Sequence, residues 1–220
     1  MTPALSLDVA EWAALLRGQT VERLGAAAAA DLIPERYRRR LPGFARDALS
    51  CALPLLQDDP AAPVVFCSPH GDLASAGALL SDIARRELLS PTVFSLSVHN
   101  APAGVLSLCV SGPGDHTAIA GGAGTLPAGM IEARARLVLD EAKSVVLVYA
   151  DERPSGLYAD FAEEEAPGVF AALKLRLGSG SAAPTAVVAP TRDGALALVK
   201  ALEAGARRLR FGLPTVRTAA

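Results

Sequence analysis

The spacing of hydrophobic positions changes several times along the chain, and the changes mark out its elements. Pro63 to Ser68 (PVVFCS) and Ser144 to Tyr149 (SVVLVY) are unbroken β-branched and aromatic runs bounded by turn formers, which predicts strands buried on both faces. His116 to Ala120 reads as another short strand, and so does Thr185 to Val188. Apolar residues recur at helical spacing over Phe44 to Leu56, Leu73 to Glu87, Ala101 to Ser111, and from Pro127 to about Asp140. Asp8 to Leu16 shows the same spacing, with Asp8 placed to cap a short helix. Pro91 to Asn100 reads as mostly loop, Gly168 to Leu177 as helix or strand, and Gly194 to Leu209 as one helix. Gly178 to Ala183 reads as a flexible turn and the tail from Pro214 as frayed. Strands alternating with helices predict a layered α/β fold with helices on both sides of the sheet. No repeat or low-complexity linker divides residues 1–220, so a single domain is expected.

Composition narrows the classes of function. The chain is 51% hydrophobic with a formal net charge of -2, a balance that gives no footprint for nucleic acid. One dense basic run exists, Arg36, Arg38, Arg39 and Arg40 with Arg46 following. It reads as a solvated helix end or as a docking patch for an acidic partner. No stretch of about 18 uncharged apolar residues occurs, so no transmembrane segment is expected, and Met1 to Leu16 lacks the pattern of a secretory signal. The cysteines at 51, 67 and 109 are odd in number and lack metal-type spacing. They read as reduced, buried thiols of a cytoplasmic protein without metal or cofactor.

Three constellations carry candidate chemistry. Cys67-Ser68-Pro69-His70-Gly71-Asp72 sets a thiol and a hydroxyl near an imidazole, the raw material of a small acyltransferase or hydrolase. Chain neighbours seldom meet in catalytic geometry, however, and Asp72 is more simply a helix cap and Gly71 a turn residue. The glycines of 112–115 (GPGD) and 121–124 (GGAG) lie where a phosphate cradle would form, yet neither nucleotide-binding spacing is present. A sharp strand-to-helix turn is also how several folds present a nucleophile, but Gly121, Gly122, Ala123 and Gly124 hold none. In the third, Asn100 leads into a small-residue helix, where its side chain would fasten the loop to the backbone, with His99 beside it.

Taken in order, these features resemble the N-terminal half of β-ketoacyl synthases, the condensing enzymes of fatty-acid and polyketide assembly. Pro91 with Phe94, Asn100-Ala101-Pro102-Ala103-Gly104, Gly112-Pro113, His116 to Ala120, and Ser144 to Glu152 follow that family's sequence of motifs across roughly Val64 to Glu152. VVFCSPHGDL, SPTVFSLSVHNAPAG and HTAIAGG are most similar to truncated β-ketoacyl synthase-like proteins of aryl-polyene and related type II clusters, which resemble chain-length factors. The resemblance implies a thiolase-like α-β-α half without the complete C-terminal half. By ordered alignment the nucleophile position falls on Ala123, or on Gly124 with one residue of slippage. The family's two histidine motifs do not occur after Glu152. Cys109 lies in the apolar helix upstream of the turn and does not substitute. The implied role is a non-catalytic subunit in a heterodimer with an active β-ketoacyl synthase, meeting the acyl carrier protein through that complex. The strand His116, Thr117, Ala118, Ile119 and Ala120 would pair across the dimer axis. Val93, Phe94, Leu96 and Asn100 would face the partner and its acyl tunnel. Ordinary core packing is the other reading of Phe94 and Leu96.

Overall fold

The computed structural model describes residues 5–18, 20–26, 28–110, 115–139, 142–162, 166–178, 183–191 and 193–212. The calls made on Gly112-Pro113, on the tail from Pro214 and on most of the 178–183 turn lie outside them. The elements are β1 (Leu5–Arg17), β2 (Val21–Gly25), α1 (Glu35–Arg38), α2 (Gly43–Leu55), β3 (Val64–Cys67), α3 (Leu73–Ala84), α4 (Pro91–Ser97) and α5 (Ala101–Cys109). There follow β4 (His116–Ile119), α6 (Thr125–Leu139), β5 (Val145–Asp151), β6 (Gly168–Leu177), β7 (Thr185–Val187), α7 (Gly194–Glu203) and β8 (Arg208–Phe211). Among the described residues no helix is long and apolar enough to cross a membrane.

All the strands join one sheet in the order β4-β3-β5-β6-β1-β8-β7, with β2 pairing the C-terminal part of β1. β4, β3 and β5 are parallel, and β6 runs antiparallel to both β5 and β1. Side chains alternate between two cores, as a doubly covered sheet requires. In β5, Val145, Leu147 and Tyr149 face a core with α6 and α7, while Val146, Val148 and Ala150 face one with α2 and α5. The second core is organised by Phe44 of α2, whose ring meets Phe66 edge-on at 6.5 Å and Phe170 at 5.8 Å. This is the layered α-β-α arrangement expected from the alternation of elements.

Four sequence readings are corrected. Asp8 to Leu16 is not a helix but the middle of β1. A bulge between Val9 and Glu11 shifts its phase, so Leu7 and Val9 share a face with Ala14 and Leu16. Two-sided burial interrupted by a bulge imitates helical spacing. Pro91 to Asn100 is not mostly loop, because Ser90 caps α4 by accepting from the Val93 N–H and Pro91 opens its first turn. Gly194 to Leu209 is not one helix: Gly205, at φ +100°, ends it and the chain turns into β8. The helix from Leu73 stops at Ala84 instead of Glu87, closed by Arg86 in the left-handed region at φ +58°. Gly168 to Leu177 is strand, with eight successive residues buried.

Among the described residues Lys174 is the most deeply buried charged side chain. Lys174 of β6 is 1% exposed, and its Nζ reaches Asp58 at 3.2 Å and Glu11 at 4.0 Å. Asp59 of the same loop accepts from Ser144 at 2.9 Å, so the α2–β3 connection is tied to β5 and β6 at the amino-terminal ends of the parallel strands. Lys174→Ala removes both the buried stem and the ion pair. It should lower the unfolding free energy in urea titrations by about 2–3 kcal/mol, and Lys174→Met, which keeps the volume, by much less.

Candidate functional site

The carboxyl ends of β3, β4 and β5 lie side by side, with Cys67 level with Ile119 and Tyr149, and the candidate chemistry gathers there. After β4 the chain makes a 3-10 turn at Gly122–Gly124 and enters α6. Buried Thr125 shapes this turn: its Oγ1 accepts from the Gly121 N–H at 2.8 Å and donates to the Gly122 carbonyl at 2.8 Å. Gly122 adopts φ +55°, which a side chain would strain. Ala123 is exposed at the tip and Gly124 is half-buried beside it. The largest side chain on residues 121–124 is thus a methyl group, and the turn presents no nucleophile.

Cys67, Ser68 and His70 do not form a catalytic unit, contrary to the hydrolase reading. The Cys67 side chain points into the α6 core, where burial pushes its thiol well above the ordinary range. Its sulfur fills the space above Gly129, where an added Cβ would collide with Sγ. The Ser68 hydroxyl accepts from the Gly71 N–H at 2.8 Å and holds the turn. Exposed His70 leans the other way, its Nδ1 3.4 Å from Asp151, which also accepts from the Tyr149 hydroxyl at 3.4 Å. Asp72 caps α3, as its position suggested, accepting from the Ser75 N–H at 2.9 Å and the Ser75 hydroxyl at 2.6 Å.

Other contacts at this end, between residues far apart in the chain, had no signal in the sequence. His99 Nε2 donates to the Ser68 carbonyl at 2.9 Å while its ring meets Phe66 edge-on at 5.8 Å, which locks the start of α5 to the end of β3. Arg17 at the end of β1 forms a two-point ion pair with buried Asp47 of α2, Nη2 to Oδ1 at 2.8 Å and Nε to Oδ2. Half-buried Glu152 lies near this pair, and burial together with Asp72 and Asp47 raises its carboxyl above the ordinary value. Among the described residues no group of three or more His, Cys, Asp or Glu side chains is placed to hold a metal.

The partner-facing candidates divide. Phe94 is 58% exposed and Val93 is also exposed, whereas Leu96 packs partly into the α2/α5 core. Asn100 is exposed at the start of α5 and, unlike the sequence reading, makes no capping hydrogen bond. No residue of α4 is buried, and Leu80, Ile83, Leu88 and Val98 extend the exposed apolar surface around it, Leu88 being 99% exposed.

β4 is the last strand at its edge of the sheet, and among the described residues nothing pairs with its outer side. The carbonyls of Asp115 and Ile119 accept from Val64 at the start of β3 and from Ser68 just after its end, so alternation turns the N–H and C=O groups of His116 and Ala118 outward. Behind the strand, Arg136 of α6 donates to Asp115 at 2.6 Å, to Glu132 at 2.9 Å and to Thr117.

The β-ketoacyl synthase N-terminal domain family matches residues 10–209, nearly the whole chain. The chain belongs to that family. No protein of curated function matches it significantly. Among solved structures it is similar to the ketosynthase ApeO in complex with its chain length factor ApeC from Xenorhabdus doucetiae, with TM-score 0.72, 24% identity, and coverage of 90% of this chain and 92% of that one. The ishigamide ketosynthase/chain length factor gives TM-score 0.58 and 16% identity over 82% of this chain and 64% of that one. A type II acyl-carrier protein in complex with its ketosynthase gives 0.53 and 12% over 77% and 62%. The chain spans less than two thirds of the latter two. At these identities the structural likenesses show a shared fold, the thiolase-like ketosynthase half.

For this ketosynthase-like domain, two outcomes check the site. Gly129→Ala should destabilise by about 1–3 kcal/mol in denaturant titrations, with most of the loss recovered in the Gly129→Ala/Cys67→Ala double variant. In the native protein a thiol reagent should modify only Cys109, which is half-buried, because Cys67 is enclosed and burial pushes the Cys51 thiol up to about 12. Rapid labelling of Cys67 would contradict the packing described.

Proposed function

We propose that this protein is a non-catalytic, chain-length-factor-type subunit that pairs with an active β-ketoacyl synthase in polyene, fatty-acid or polyketide biosynthesis. The observation that carries the reading is the turn after β4, whose residues 121–124 hold nothing larger than a methyl group; the resemblance puts the nucleophile position there, on Ala123 or, with one residue of slippage, on Gly124. Condensation needs a thiolate and imidazole donors at one point. On this reading those groups belong to the partner synthase, and the acyl carrier protein is met through the complex. The free edge of β4 supports pairing by strand addition, and the apolar surface of α4 supports contact with a chain-bearing partner. Phe94 then reaches toward the growing chain and limits its length. The role calls for no metal or cofactor of this subunit's own, and the compartment proposed is the cytoplasm.

Co-expression with an active ketosynthase of such an assembly should give a co-purifying pair. Ala118→Pro removes only an outward N–H, so the variant should fold with an unchanged far-UV spectrum and fail to co-purify. In the reconstituted assembly, Phe94→Ala should lengthen the product as read by mass spectrometry. Clean monomeric behaviour of the parent chain, together with product length indifferent to Phe94→Ala, would overturn the reading.

A further inference from the structure

The cleft beyond the carboxyl ends of β1 and β5 has no part in the role proposed above. It encloses about 440 Å³ and is lined by Arg17, Glu152, Arg153, Ser155, Ala159 and Ala162. Arg17 ends β1, and Glu152 and Arg153 follow β5 directly. Gly168 at the start of β6 lets them approach: a side-chain carbon there would stand 3.5 Å from the Arg17 Cβ and 3.5 Å from the Arg153 amide nitrogen. Gly156, at φ +58°, opens the 3-10 turn Gly156–Phe161 that supplies Ala159. Three charged groups of this lining have bonding capacity left over. Buried Asp47 fixes Arg17 through Nε and Nη2, while Nη1 has no partner among the described residues. The exposed Arg153 side chain and the half-buried Glu152 carboxyl make no hydrogen bond or ion pair among the described residues. Glu152 feels Asp72 at the cap of α3, Asp47 of α2 and Arg17 of β1, with Asp151 and Arg153 beside it in the chain and His70 leaning on Asp151 at 3.4 Å. Burial, Asp72 and Asp47 favour its protonated form, and Arg17 opposes them.

We infer that this cleft binds a small monocarboxylate, held by Arg17 and Arg153 and by a hydrogen bond from the Glu152 carboxyl. The charge count selects a monoanion. Asp47 already answers Arg17, so among the described residues Arg153 is the cation of the lining left without a counterion, and Glu152 stands beside it. A dianion such as phosphate would bring more charge than the cleft can balance. A carboxylate fits the planar guanidinium fork at two points, and a protonated Glu152 then meets it as a donor instead of a repelling charge. Pro154, Ala159 and Ala162 offer apolar wall to the rest of the ligand, as small-molecule sites do. Binding takes up one proton from solvent. By linkage it therefore strengthens as pH falls toward the range where Glu152 titrates, by at most about tenfold per pH unit. The inference stands on the cleft itself and does not depend on pairing with a synthase.

The test is isothermal titration calorimetry of benzoate into the full chain, with benzamide and phenyl phosphate as comparators. Benzoate should bind saturably at millimolar concentration and tighten about threefold or more between about pH 7.5 and about pH 5.5. The heat should vary with the ionisation enthalpy of the buffer, which reads the proton taken up. Glu152→Gln, the neutral isostere of the protonated carboxyl, should bind at neutral pH at least as tightly as the parent and lose both the pH dependence and the proton uptake. Arg153→Gln should weaken binding about tenfold or more. So should Arg17→Gln/Asp47→Asn, which removes the guanidinium without leaving Asp47 as an unpaired buried charge. Arg210→Gln, exposed on β8, should bind like the parent. Absence of saturable benzoate binding overturns the inference, as does equal binding of benzamide or tighter binding of phenyl phosphate. PH dependence retained in Glu152→Gln, or equal weakening by Arg210→Gln, overturns it as well.

Discussion

The constraint on which the molecule depends is a sheet covered on both faces at once. Over Val145–Ala150 and Val169–Leu173, β5 and β6 bury the positions of one parity against α6 and α7 and those of the other against α2 and α5. A strand in that situation has no polar side to spare, which is why Val145 to Ala150 and Val169 to Leu173 read as unbroken apolar runs. Polar chemistry is pushed to the strand ends. At the amino-terminal end it becomes a fastening, Lys174 to Asp58 and Ser144 to Asp59. At the carboxyl end it becomes the cluster of His70, His99, Asp151 and the Thr125 turn.

That division explains what the sequence allowed. β3 and β5 are legible because continuous burial leaves a continuous apolar signature, and α2 and α6 because they cover one face each. β1 was misread because its bulge moves the buried set from odd to even positions midway. α4 was missed for the opposite reason: with none of its residues buried it has no apolar stripe, and its only markers are Ser90 and Pro91. Gly205 is a helix stop of ordinary kind, overlooked because the apolar residues of β8 continue the count of α7.

At the site, the turn at 121–124 was legible from glycine spacing, since closing it depends on backbone freedom that composition reveals. The contacts that shape it were not. Thr125 folding back on Gly121 and Gly122, and His99 reaching the Ser68 carbonyl, pair residues whose relation exists only once strands and helices are docked. The neighbourhood of Cys67 and His70 in sequence was misleading, because alternate strand residues point to opposite sides. Cys67 enters the core, while His70 follows after the chain has left the sheet.

The shortness of β4 bears on how much an added strand can contribute. Among the described residues of β4, a strand that comes alongside meets the outward backbone groups of His116 and Ala118. At about 1 kcal/mol of net gain for each of four hydrogen bonds, such a seam reaches only the low end of the roughly 4–15 kcal/mol that association costs in lost freedom. It is therefore an aligner and not an adhesive. Backbone groups look alike in every chain, so they set direction and register without telling one neighbour from another. Recognition and grip would have to come from side chains.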